Sequence, residues 1–246
     1  MADWNDTQRS QHVGSVPRTS DEISGGVTFD EGLRKHMLSI YNYMVSGVLL
    51  TGIVALLMAR SGVTASLVQS PLMWVVALSP LAIVFAMSFG QNRFSKTTLQ
   101  LMFWGFATLM GMSLSTIFLR YTGESIAVTF FATSAAFAGL SLFGYTTKKD
   151  LSGFGSFLIM GVVGLIVTML LNLWLQSPAL MYAISFIGVL IFAGLTAYDT
   201  QRLKREYTYL RGTEFAGKAV ILGALSLYLD FINMFQFLLS FMGSQD

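Results

Sequence analysis

The chain is 246 residues long, 54% hydrophobic and 11% charged, with a mean hydropathy of +0.62. Soluble domains carry about 25% charged residues, so this composition describes a chain solvated largely by lipid. A net charge of +2 makes no case for nucleic acid, the absence of cysteine excludes disulfides and thiolate chemistry, and His12 and His36 are too far apart for a histidine-rich metal site.

Residues 1–27 are polar, Ser/Thr/Gly-rich and aperiodic, which predicts a disordered cytosolic tail ahead of one transmembrane domain over 28–246. The first apolar run begins only after this polar stretch, so no cleavable signal peptide is expected. Thr28-Phe29-Asp30-Glu31 has capping-box spacing, and a helix is expected to start there.

Seven apolar stretches follow, each near the ~20 residues a span needs. They run over about Met37–Ala59, Leu72–Phe89, Leu99–Leu119, Ser125–Gly144, Phe154–Leu175, Ala179–Tyr198 and Ala219–Met242. The second is short and interrupted by Pro80, which removes a backbone donor and kinks a helix unless neighbours satisfy the freed carbonyl. Gln69-Ser70-Pro71 precedes the second span and Gln176-Ser177-Pro178 the sixth. Serine before proline is a helix-start signal that two spans can use independently. The same echo also fits an inverted repeat of spans one to three in spans four to six. Both readings stand on sequence grounds.

With the N-terminus inside, thirteen of the fifteen basic residues face the cytosol and only Arg60 and Arg120 lie outside. That bias predicts an odd number of spans and a cytosolic N-terminus. The expected fold is therefore an all-α membrane protein of seven helices.

A charge inside a span costs on the order of 2.5–3.5 kcal/mol at the helix centre and so faces a cavity or a partner. Asp230 lies about 18 Å into the seventh span, near mid-bilayer. Ser226 and Asn233, at i−4 and i+3, share its face, and lipid would not tolerate that stripe. The seventh helix is thus expected at the centre of the other six. The alternative for Asp230 is a protonated, hydrogen-bonded structural residue.

Asp199, at the end of the sixth span, reads on periodicity as an interfacial charge paired with Arg202 or Arg205. It shares a face with Thr196, and that face turns inward if the helix continues past the apolar run. Arg93, after the second span, reads as a positive-inside anchor. Should the two aspartates meet, they would share a proton and titrate as a pair, and their oxygens would offer Ca²⁺ a weak, transient site. No phosphate-binding glycine loop, H-E-x-x-H or G-x-S-x-G occurs, and the G-x-G-D context of an intramembrane aspartyl protease is missing at Ala197-Tyr198-Asp199 and Tyr228-Leu229-Asp230. No enzyme activity and no cofactor are expected.

Three stretches, Ser141–Leu151, Gly194–Gln201 and Leu225–Asn233, resemble the transmembrane Bax-inhibitor-motif (Bax inhibitor-1) family, in its bacterial branch, and the likeness extends from about Gly32 to Gly243. The resemblance implies seven helices with the seventh central, and a pH-sensitive calcium leak in a bacterial inner membrane. It implies that Asp199 and Asp230 form a hydrogen-bonded, proton-sensing pair. It further implies that Arg93 latches onto Asp199 in a closed state, although Asn92 and Phe94 replace the family's basic run there. Some bacterial relatives are instead described as modulators of a membrane-bound ATP-dependent protease. A proton-coupled transporter fits an intramembrane carboxylate equally well.

Overall fold

The computed structural model describes the backbone of residues 20–244 and the side chains of residues 31–244. Eight α-helices and one 3₁₀ turn, and no strand, occur among the described residues. They are α1 (Ser20–Arg60), the short α2 (Val63–Val68), α3 (Leu72–Gly90), α4 (Lys96–Leu114) with its 3₁₀ extension Ser115–Leu119, α5 (Gly123–Thr146), α6 (Ser152–Leu175), α7 (Pro178–Leu210) and α8 (Ala216–Met242). All but α2 are long and apolar enough to cross a bilayer, which makes seven spans at the expected places.

Two boundaries differ from expectation. Helix α1 is already formed at Ser20, so the tail predicted over 1–27 is helical in its last residues, and residues 1–19 lie outside the described residues. The Thr28 capping-box spacing falls inside the helix rather than at its start. Helix α7 runs twelve residues beyond the apolar stretch that ends at Tyr198. Charged neighbours at i,i+3 and i,i+4, Asp199–Arg202 and Arg202–Glu206, support that extension.

Local chemistry explains how the irregular helices hold. Pro80 removes the donor that would reach the Val76 carbonyl, and the Ser79 hydroxyl donates to that carbonyl instead, at 3.1 Å. Helix α3 therefore continues through its proline. At the start of α7, Ser177 accepts from the Leu180 N–H at 3.3 Å with Pro178 following, as its sequence predicts. Ser70 makes a shorter-range version, accepting from the Leu72 N–H at 3.2 Å.

Packing repeats across the two halves. Helix α4 packs against both α1 and α3, which do not pack substantially on each other. Helix α7 does the same with α5 and α6. A common pattern in the two triplets is what an inverted repeat produces. Helix α8 then packs against α1, α4, α5 and α7. Its apolar window is 67% buried, against at most 39% in any other span, so the seventh span is the central one.

Aromatic edges tighten that centre. The Tyr228 ring is fully buried, 5.0 Å from that of Phe106, and Phe231 meets Phe130 and Phe137 at 5.7 and 5.6 Å. The Tyr228 hydroxyl donates at 2.6 Å to Thr51, whose own hydroxyl donates to the Ala107 carbonyl at 2.8 Å. This chain ties α1, α4 and α8 together.

The α7 extension clamps the loop between α5 and α6. Gln201 donates to the Lys149 carbonyl at 2.8 Å and accepts from the Leu151 N–H at 2.9 Å. Lys204 donates to the Tyr145 carbonyl at 2.8 Å, and Arg205 pairs with Asp150 at 2.6 Å. The Ser152 N–H and Arg205 together hold the Asp150 carboxyl down at about 2. Gln201→Ala is expected to leave two backbone groups without partners and to loosen the loop by about 1 kcal/mol. Faster amide exchange confined to residues 147–151 would report it; unchanged exchange there would mean that the ion pair alone holds the loop.

Candidate functional site

The site lies where α7 and α8 cross. Asp199 is only 5% exposed although it follows the apolar run, because α7 continues and turns the face shared by Thr196 and Asp199 into the bundle. Its Oδ1 lies 3.2 Å from Arg202 Nη1, one turn further along the same helix. Its Oδ2 accepts a short hydrogen bond from the Ser226 hydroxyl of α8. Arg202 Nη2 donates to that same Ser226 oxygen at 3.1 Å, closing a triangle of acid, base and hydroxyl between the two helices. Arg202 Nε faces Glu206 Oε1 at 3.4 Å without a hydrogen bond, and the guanidinium stands 5.9 Å from the Tyr198 ring centre.

Asp230 follows Ser226 by one turn on the inward face of α8 and is 5% exposed. Asp230 Oδ2 is buried with no hydrogen-bond partner among the described residues. Asn233, half-buried on the same side, spends its amide on its own helix, donating to the Leu229 carbonyl at 2.8 Å.

The structure thus brings Asp199, Ser226 and Asp230 together and leaves Arg93 apart. Arg93 sits exposed in the turn after α3, and the cation on Asp199 is Arg202. The reason is reach: a guanidinium at i+3 meets its carboxylate without leaving the helix, whereas Arg93 would have to cross to another one. Ser226, expected only as part of a polar face, is the residue that ties Asp199 to α8. Glu206 was not singled out from the sequence; its spacing of four from Arg202 was the available signal.

A cavity of about 560 Å³ opens between α3, α7 and α8. Arg202, Glu206 and Ser226 form its polar wall together with Ser88 and Gln91, and Leu229 and Val84 belong to its apolar lining. The Asp199 network therefore has a route to water, while Asp230 is not part of the cavity lining. Among the described residues no cluster of three or more acidic or histidine side chains is positioned to hold a metal ion.

These features define a polytopic helical membrane protein with an ionisable centre: a buried acid–base–hydroxyl triangle and one further buried carboxylate. The family model described as inhibitor of apoptosis-promoting Bax1 matches residues 33–246, and the chain belongs to that family. It is 49% identical to an uncharacterized protein of Caulobacter vibrioides, over 97% of this chain and 98% of that one. It is 44% identical to the inner membrane protein YbhL of Escherichia coli strain K12, over 87% and 93% of the two chains. An uncharacterized membrane protein of Streptococcus pyogenes is 36% identical, over 88% and 96%.

Proposed function

We propose that the chain is a pH-sensitive leak for calcium or a similar cation across a bacterial inner membrane, with no enzymatic step. The observation that carries this reading is Asp230, a carboxylate with a buried and unpartnered oxygen, one turn from the serine that holds Asp199. Two carboxylates that meet in a low-dielectric centre do not ionise independently, so protons and cations would compete for the same oxygens. Hard oxygen ligands suit Ca²⁺, and so small a donor set binds weakly enough to release the ion. The basic loops and the N-terminus face the cytosol, so the cavity beside Gln91 opens on that side. The inner-membrane placement follows the name of the relative YbhL.

Calcium flux from proteoliposomes, measured across pH, tests this reading. Unaltered protein should show flux that depends on pH, and Asp230→Asn, which keeps the shape but cannot ionise, should flatten that dependence. Flux without pH dependence in both proteins would return the aspartates to structural roles and favour a regulator that works by binding another membrane protein.

A further inference from the structure

Helices α1 and α5 do not pack substantially on each other, and a groove of about 770 Å³ separates them. Met44 and Val48 wall it on α1, Phe137 and Ala138 on α5, and Phe231 of α8 forms its floor. From Arg34 to Leu49 it follows α1 for about 22 Å at 1.5 Å per residue. That exceeds the roughly 15 Å hydrocarbon depth of one leaflet.

Polarity is graded along this length. Arg34 stands exposed at one end and pairs with no carboxylate among the described residues. At the same end Lys204 donates to the Tyr145 carbonyl, with its ammonium 4.9 Å from the Tyr145 ring centre. Two turns further in, the Tyr41 and Ser141 hydroxyls, 2.5 Å apart, face the groove, and beyond them the lining is hydrocarbon and aromatic except for Ser134, whose hydroxyl donates to the Phe130 carbonyl of its own helix. Among the described residues no acidic side chain lines it. A cation, then hydroxyls, then an apolar channel is the complement of a phosphate headgroup, its ester region and an acyl chain.

We propose that this groove holds one anionic phospholipid, with its phosphate on Arg34 and an acyl chain between α1 and α5 reaching Phe231. A guanidinium that no described carboxylate engages can grip a phosphate with two donors, and the Arg34 and Lys204 cations at this end favour a net-negative headgroup over a zwitterionic one. The proposal is independent of the leak reading, because it needs only a bilayer.

The test is retention of lipid by the purified full-length chain in native mass spectrometry, with phosphatidylglycerol and phosphatidylcholine of the same acyl chains. The unaltered protein should retain phosphatidylglycerol about fivefold better, the factor expected for one basic contact. Arg34→Gln should remove that preference, whereas Arg60→Gln, at the other end of α1, should keep it. Ala138→Trp, a change at a lipid-exposed position that fills the groove, should lower retention of both lipids. Equal retention of the two lipids by the unaltered protein, or a preference that survives Arg34→Gln, would overturn the headgroup assignment. Undiminished retention by a folded Ala138→Trp protein would overturn the placement of the chain.

Discussion

Replacing Arg202 by methionine is expected to destabilise the protein by about 2–3 kcal/mol, whereas Asp199→Asn should cost about 1 kcal/mol. The asymmetry follows from burial. The Asp199 side chain is 7% exposed and the Arg202 side chain 36%, so loss of the arginine strands a carboxylate away from water. Loss of the carboxylate instead leaves a guanidinium that still has Glu206 and the cavity. A fully buried pair would lose about 3–5 kcal/mol on removal of one partner, and the partial exposure of Arg202 brings the figure down. Ser226 adds to the cost, since it loses a donor while still bound to Asp199. Denaturant unfolding of the two variants in the same detergent measures the difference. Equal costs would mean that Asp199 draws its stabilisation from Ser226 alone. In the leak assay the Arg202→Met protein should also shift its response to pH, because Asp199 and Glu206 would lose the cation they share.

Gly144→Ala is expected to cost more than about 3 kcal/mol, beyond the usual range for overpacking, although it adds a single methyl group. A Cβ at this position would lie 2.2 Å from the Ala197 carbonyl oxygen and 2.9 Å from two further backbone atoms of Ala197. Backbone cannot step aside as a flexible side chain does, so α5 and α7 would have to part. Parting them stretches the 2.9 Å contact between Ser141 and Thr200 and the Lys204 bond to Tyr145, so the cost spreads along the interface. Gly139→Ala serves as the internal comparison, because a Cβ there meets nothing within 4 Å. It should be neutral or stabilising by up to about 1 kcal/mol, the helix preference of alanine over glycine. Melting temperature and the yield of monodisperse protein separate the two. A Gly144→Ala protein that melts like the unaltered one would mean that α5 and α7 do not approach this closely.

Both expectations rest on α7, the helix that the sequence describes least completely. Its apolar run ends at Tyr198, so the lipid-solvation signal stops before the residues that matter, Asp199 to Arg205. Beyond that point polar residues occupy the buried face, and hydropathy counts them as surface. Spacing alone gives the Thr196–Asp199 face and narrows the partner of Asp199 to Arg202 or Arg205, because i,i+3 geometry is local, and the structure selects Arg202. Arg93 was placed by resemblance as the partner of Asp199, and the structure leaves it exposed in a turn.

The seven spans, their order and the inward face of α8 were determined by sequence, because a bilayer imposes length and apolarity on each segment separately. The same holds for the capped start of α7 and for the cost of a carboxylate at Asp230. Tertiary structure alone decided that Ser226 bridges toward Asp199, that Arg202 closes the triangle, and that α1 and α5 stand apart over a groove. Each of these depends on how two helices cross. That is set by close approaches such as Gly144 on Ala197, between residues more than fifty positions apart, where no periodicity within one helix carries the information.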